Sequence, residues 1–103
     1  MLTTWPVFTE AMYLLADAGG WNAQRALWQM IERNALELAE LEATQVARSR
    51  ALMEKYRDTP MDIADATLVA IGEALGLKRI FTLDSDFEVY RYRGRELFEI
   101  VPG

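Results

Sequence analysis

The chain has 103 residues, sixteen Asp and Glu against eleven Lys and Arg, a net charge of −5, and neither histidine nor cysteine. Those two zeros exclude disulfide frameworks, zinc–thiolate sites, cysteine nucleophiles and imidazole chemistry of any kind. Any catalytic site must therefore rest on carboxylates, hydroxyls, lysine, arginine or a carboxylate-bound metal.

In chain order, Thr3-Thr4-Trp5-Pro6 predicts a helix start with a threonine cap and proline in the first turn. Phe8, Ala11, Met12, Leu14 and Leu15 recur at helical spacing, and Gly19-Gly20 ends that helix. A second helix is expected from Asn22 to Asn34, and the alternation Ala35-Leu36-Glu37-Leu38 reads as a short strand. A third helix is expected from Glu40 to Tyr56, rich in good helix formers. Thr59, Pro60 and Asp62 suggest the cap, first and third positions of a fourth helix, which Gly76 ends. Arg79-Ile80-Phe81-Thr82-Leu83 reads as a buried strand, and the alternating runs 87–92 and 96–101 flank a hairpin signal at Arg93-Gly94-Arg95. Helices interleaved with short strands predict an α/β layer structure in one domain. No run approaches the ~18 apolar residues of a membrane span, and no basic segment precedes an apolar run as in a signal peptide.

Five acids stand at the edges of apolar elements. Glu10 lies in the first turns of an apolar helix, where it also favours the positive helix end. Asp62 and Asp65 are i,i+3 neighbours on one helix face; Asp62 doubles as a cap partner for Thr59, whereas Asp65 is expected beyond the reach of capping. Asp84 and Asp86 follow a strand, where α/β sheets bind ligands, although Asp-Ser-Asp also suits an ordinary turn. With no histidine available, the joint pattern suggests an oxygen-ligand site for Mg²⁺ or Mn²⁺.

Three segments resemble the motifs of PIN domains, the nucleases that include VapC-like toxins. They are Thr3-Thr4-Trp5-Pro6-Val7-Phe8-Thr9-Glu10-Ala11, the stretch from Lys55 through Pro60-Met61-Asp62-Ile63-Ala64-Asp65 to Ala66, and Thr82-Leu83-Asp84-Ser85-Asp86-Phe87. The resemblance implies a three-layer α/β/α fold around a short, mainly parallel sheet, with 1–103 a single, N-terminally truncated domain. It implies a Mg²⁺- or Mn²⁺-dependent ribonuclease of the toxin–antitoxin kind, cytoplasmic, with RNA as substrate and an antitoxin as protein partner. Carried over by motif, Glu10, Asp65 and Asp84 are the catalytic, metal-binding acids. Asp62 and Asp86 support them, and Thr82 orients a ligand or water. The family's first strand, which carries its first metal-binding aspartate, has no counterpart before Met1-Leu2. From that departure follow two further expectations. One is a non-catalytic remnant acting by binding or oligomerisation. The other is a homodimer or higher oligomer that covers the strand edges left open, with Trp5, Trp21 and Trp28 as contributors.

Overall fold

The computed structural model describes residues 1–59 and 61–83 and the strand residues 91–92, 96–97 and 99–101. In chain order the elements are β1 (Leu2–Thr4), α1 (Trp5–Glu32), β2 (Glu37–Ala39), α2 (Ala43–Lys55), α3 (Ile63–Leu75), β3 (Arg79–Phe81), β4 (Arg91–Tyr92), β5 (Glu96–Leu97) and β6 (Glu99–Val101). Four strands form a parallel sheet in the order β2-β1-β3-β6, and β4 pairs antiparallel with β5. The expected α/β fold with a short, mainly parallel sheet is therefore present.

The period-two alternation of strands explains the layers. Leu2, Ala39 and Ile80 join one core with Leu52 of α2 and the apolar residues of α3. Their sequence neighbours Met1, Leu38 and Phe81 join a second core with Phe8, Ala11 and Leu27 of α1. Helices α2 and α3 thus cover one face of the sheet and α1 the other. Residues Ala64 to Gly72 of α3 are all buried. A helix buried all round must be enclosed on every side, and α3 touches α1, α2, β1 and β3.

Two expectations at the N-terminus are refined. The helix starts where expected, with Thr4 at the N-cap and Pro6 in the first turn, but Leu2-Thr3-Thr4 is also a strand, and Thr4 makes no side-chain cap bond. The expected break at Gly19-Gly20 is real, although one helical element runs through it. Gly20 adopts φ 64° and ψ −151°, a region essentially reserved for glycine. The two arms fold back on each other there: the Phe8 and Trp28 rings sit 4.9 Å apart, edge to face. Twenty residues of straight helix would separate them by about 30 Å. Gln24 locks the fold by donating from Nε2 to the Met12 carbonyl at 3.1 Å.

The strand predicted around Leu36-Glu37-Leu38 is β2, and the predicted buried strand is β3. The hairpin signal corresponds to the β4–β5 pair, while Glu99–Val101 leaves that hairpin to extend the main sheet beside β3. Gly76 closes α3 as expected, with φ 67° and a Leu77 N–H that donates to the Gly72 carbonyl at 2.9 Å. Strands β1 and β3 adjoin directly in the middle of the sheet through one register pair, Leu2 with Ile80, reinforced by Thr3 Oγ1 donating to the Phe81 carbonyl at 3.2 Å. The expected three indoles are all partly exposed, at 53% for Trp5, 63% for Trp21 and 39% for Trp28.

Candidate active site

Parallel strands β1 and β3 point their carboxyl ends the same way, and both chains turn there into the site. From Thr4 the chain enters α1 and presents Val7, Glu10, Ala11 and Leu14 along one helix face, spaced i, i+3, i+4 and i+7. After Phe81 come Thr82 and Leu83. From the start of α3 come Ala64 and Asp65. These eight residues line one narrow cleft, so Glu10, Asp65 and Thr82, predicted from three separate segments, are brought together. The carboxyl edge of a parallel sheet is where such folds bind ligands. Asp84 and Asp86 lie outside the described residues.

Asp65 is the most constrained of the set, with only 2% of its surface exposed. It occupies the third position of α3, whose N-cap is Asp62 rather than Thr59. Asp62 Oδ1 accepts from the Asp65 N–H at 2.9 Å, and Asp65 Oδ2 accepts from the Asp62 N–H at 3.2 Å. This reciprocal pair is a capping box. It corrects the expectation that Asp65 lies beyond capping: the helix starts at Ile63, three residues later than predicted, and the shift brings Asp65 into the cap. Thr59 instead donates from Oγ1 to the Tyr56 carbonyl at 2.7 Å, closing the turn after α2. Asp62 is exposed and does not line the cleft; it acts on Asp65 through the backbone.

Buried hydroxyls hold the cleft's two walls in register. Thr4 and Thr67 Oγ1 atoms are 2.9 Å apart, and Thr67 Oγ1 also meets the Ala64 carbonyl at 2.8 Å. Thr4 immediately precedes the helix of Glu10, and Thr67 follows Asp65 by two residues. Glu10, Asp65 and Thr82 each take part in interactions within the fold.

Leu14 and Val7, the i+4 and i−3 helical neighbours of Glu10, form the wall beside it. Leu14 keeps 46% of its surface exposed beside the carboxylates. The donor set suits a hard divalent cation in kind: two carboxylates and a hydroxyl, all oxygen, with no basic residue among those lining the cleft. Among the described residues no three Asp or Glu side chains converge on a single point.

A short parallel sheet between helical layers, with acids gathered at its carboxyl edge, defines a class of α/β domain that the comparisons make specific. The profile of the PIN domain family matches residues 1–91, and the chain belongs to that family. A relative, Ribonuclease VapC26 of Mycobacterium tuberculosis (strain ATCC 25618 / H37Rv), is 31% identical over 97 residues, covering 93% of this chain and 72% of the relative.

Proposed function

We propose that the protein is a metal-dependent ribonuclease of the toxin–antitoxin kind, hydrolysing RNA phosphodiesters in the cleft between α1 and α3. The observation that carries this reading is the convergence of Glu10, Asp65 and Thr82 on one cleft from three distant segments. Membership of the PIN domain family and the likeness to a protein named as a ribonuclease support it.

On this reading Glu10 and Asp65 hold Mg²⁺ or Mn²⁺, and Asp84 completes the acidic set. A divalent ion held there supplies charge neutralisation at the phosphoryl oxygens and acidifies water. The protein's own part is positioning. The capping box restrains the rotamer of Asp65, so its carboxylate lines the cleft with little further entropic cost. Thr82, 5% exposed, offers a hydroxyl to orient a ligand or water. Val7 and Leu14 give the cleft an apolar wall that limits competing water. Neither histidine nor cysteine is needed for such a reaction.

The same reading makes RNA the substrate and an antitoxin the protein partner, with the protein acting in the cytoplasm as a homodimer or higher oligomer over the whole span 1–103. Among the described residues no helix is long and apolar enough to cross a membrane.

The test is cleavage of single-stranded RNA with Mn²⁺ by the wild type and by Asp65→Asn. Loss of ~100-fold or more in the variant is expected. Equal cleavage by both, or none by either, overturns the reading for this polypeptide.

One observation favours a second reading, a binding module without catalysis: Asp65 already has a structural task, as the third residue of a capping box. Calorimetric titration with Mn²⁺ separates the two. Binding abolished by Asp65→Asn supports the nuclease, and binding indifferent to that change supports the module.

A further inference from the structure

Strand β2 closes one end of the sheet, and no strand among the described residues pairs with its outer edge. An open edge offers a row of backbone donors and acceptors to an added strand. Behind this edge lies a cavity of about 410 Å³, floored by Leu2 and Ile71 and flanked by Ala74 and Leu75 of α3. Leu75 remains 54% exposed at its mouth. Three glutamates line the same cavity, Glu37 on the strand and Glu40 and Glu42 on the turn into α2, and no Lys or Arg lines it. All three are exposed. The cavity is separate from the cleft of Glu10 and Asp65, with which it shares no lining residue.

We infer that this edge docks an extended segment of a partner protein, in which Lys or Arg side chains alternate with apolar ones. Backbone pairing with β2 selects an extended chain. The cavity floor takes apolar side chains, and the three glutamates select positive charge. A second copy of this chain does not fit, because pairing β2 with itself brings both sets of glutamates to one seam, where like charges repel. Acids on an edge strand also guard against self-association. That role alone leaves the apolar floor of the cavity, Leu2 and Ile71, without an occupant. The inference is independent of the ribonuclease reading.

The probe is a fluorescein-labelled synthetic peptide of alternating lysine and valine, titrated with the 103-residue chain and followed by anisotropy. Saturable binding is expected, with slowed hydrogen exchange at the Leu38 amide, which alternates outward from the Glu37 N–H that donates to the Met1 carbonyl. A peptide of alternating glutamate and valine should not bind. Glu37→Gln combined with Glu40→Gln should weaken the lysine peptide about tenfold or more. The charge-matched control, Asp17→Asn with Glu32→Gln, should bind as wild type, and so should Asp65→Asn. Circular dichroism and the unfolding midpoint confirm that each variant is folded. Equal loss in the control pair, retention of affinity in the Glu37/Glu40 pair, binding of the acidic peptide, or no saturable binding overturns the inference.

Discussion

Thr4 and Thr67, separated by 63 positions in sequence, meet through their hydroxyls at 2.9 Å in a site closed to solvent. Each hydroxyl has one proton. Thr67 gives its own to the Ala64 carbonyl, so Thr4 is the donor between them. The two substitutions to valine are therefore unequal. Thr67→Val strands a buried donor on Thr4 and should cost about 1–3 kcal/mol, while Thr4→Val leaves Thr67 bonded to Ala64 and should cost about 1 kcal/mol. The double variant should cost less than the sum, because an apolar pair has no donor to strand. Urea unfolding of the four proteins measures all three terms.

The capping box makes Asp62 and Asp65 separable. Asp65→Asn keeps an oxygen for the Asp62 N–H and loses only charge, so its stability should stay within about 1 kcal/mol of wild type while, on the proposed reading, cleavage collapses. Asp62→Ala removes the oxygen that holds the Asp65 N–H, at a cost of about 1 kcal/mol. Cleavage should fall by a smaller factor, since the cleft keeps its charge. Unfolding midpoints paired with single-turnover rates show the crossing pattern. A capping role alone for Asp65 would instead make activity track stability in both variants.

What the sequence makes legible depends on how many residues vote for each feature. β3 and the end of α3 are readable because Ile80 and Phe81 are strongly apolar and Gly76 accepts a left-handed backbone. β1 is not, because a three-residue strand shows no alternation and Trp5-Pro6 supplies a louder helix signal. The site suffers from a phase error. Thr59-Pro60 imitates a helix start, and placing it there moves Asp65 out of the first turn. The pair Asp62-x-x-Asp65 has capping-box spacing in its own right, which is the signal that locates the true start. The exposure of the three tryptophans is illegible for another reason: Phe8, Leu27 and Leu36 already fill the core beneath α1, and composition carries no record of which apolar residues find room.

Gly20 stores the one backbone conformation that α1 cannot transfer to another residue. A Cβ there would meet no atom within 4 Å, so Gly20→Ala introduces no clash. Its cost is purely conformational, about 1–3 kcal/mol at φ 64° and ψ −151°. The substitution should lower stability by that amount and weaken the Phe8–Trp28 contact, which the near-ultraviolet circular dichroism of Trp28 reports. At Gly19 the balance differs, because a Cβ meets Ala23 Cβ at 3.0 Å while alanine gains helix propensity. Gly19→Ala should therefore be milder than Gly20→Ala.

Metal binding should appear as stability before it appears as turnover. On the proposed reading, Glu10 and Asp65 hold a divalent cation only in the folded chain, where both line one cleft. At about 100 times the dissociation constant, a single site adds about 2.7 kcal/mol. Mn²⁺ should therefore raise the thermal midpoint of the wild type, and EDTA should restore the metal-free value. Asp65→Asn and Glu10→Gln should each abolish most of the rise. Thr82→Val should keep the rise and lose rate if, as proposed, its hydroxyl orients a ligand or water and does not neutralise charge. A rise of equal size in all four proteins would place the ion elsewhere and remove the carboxylate cleft as its site.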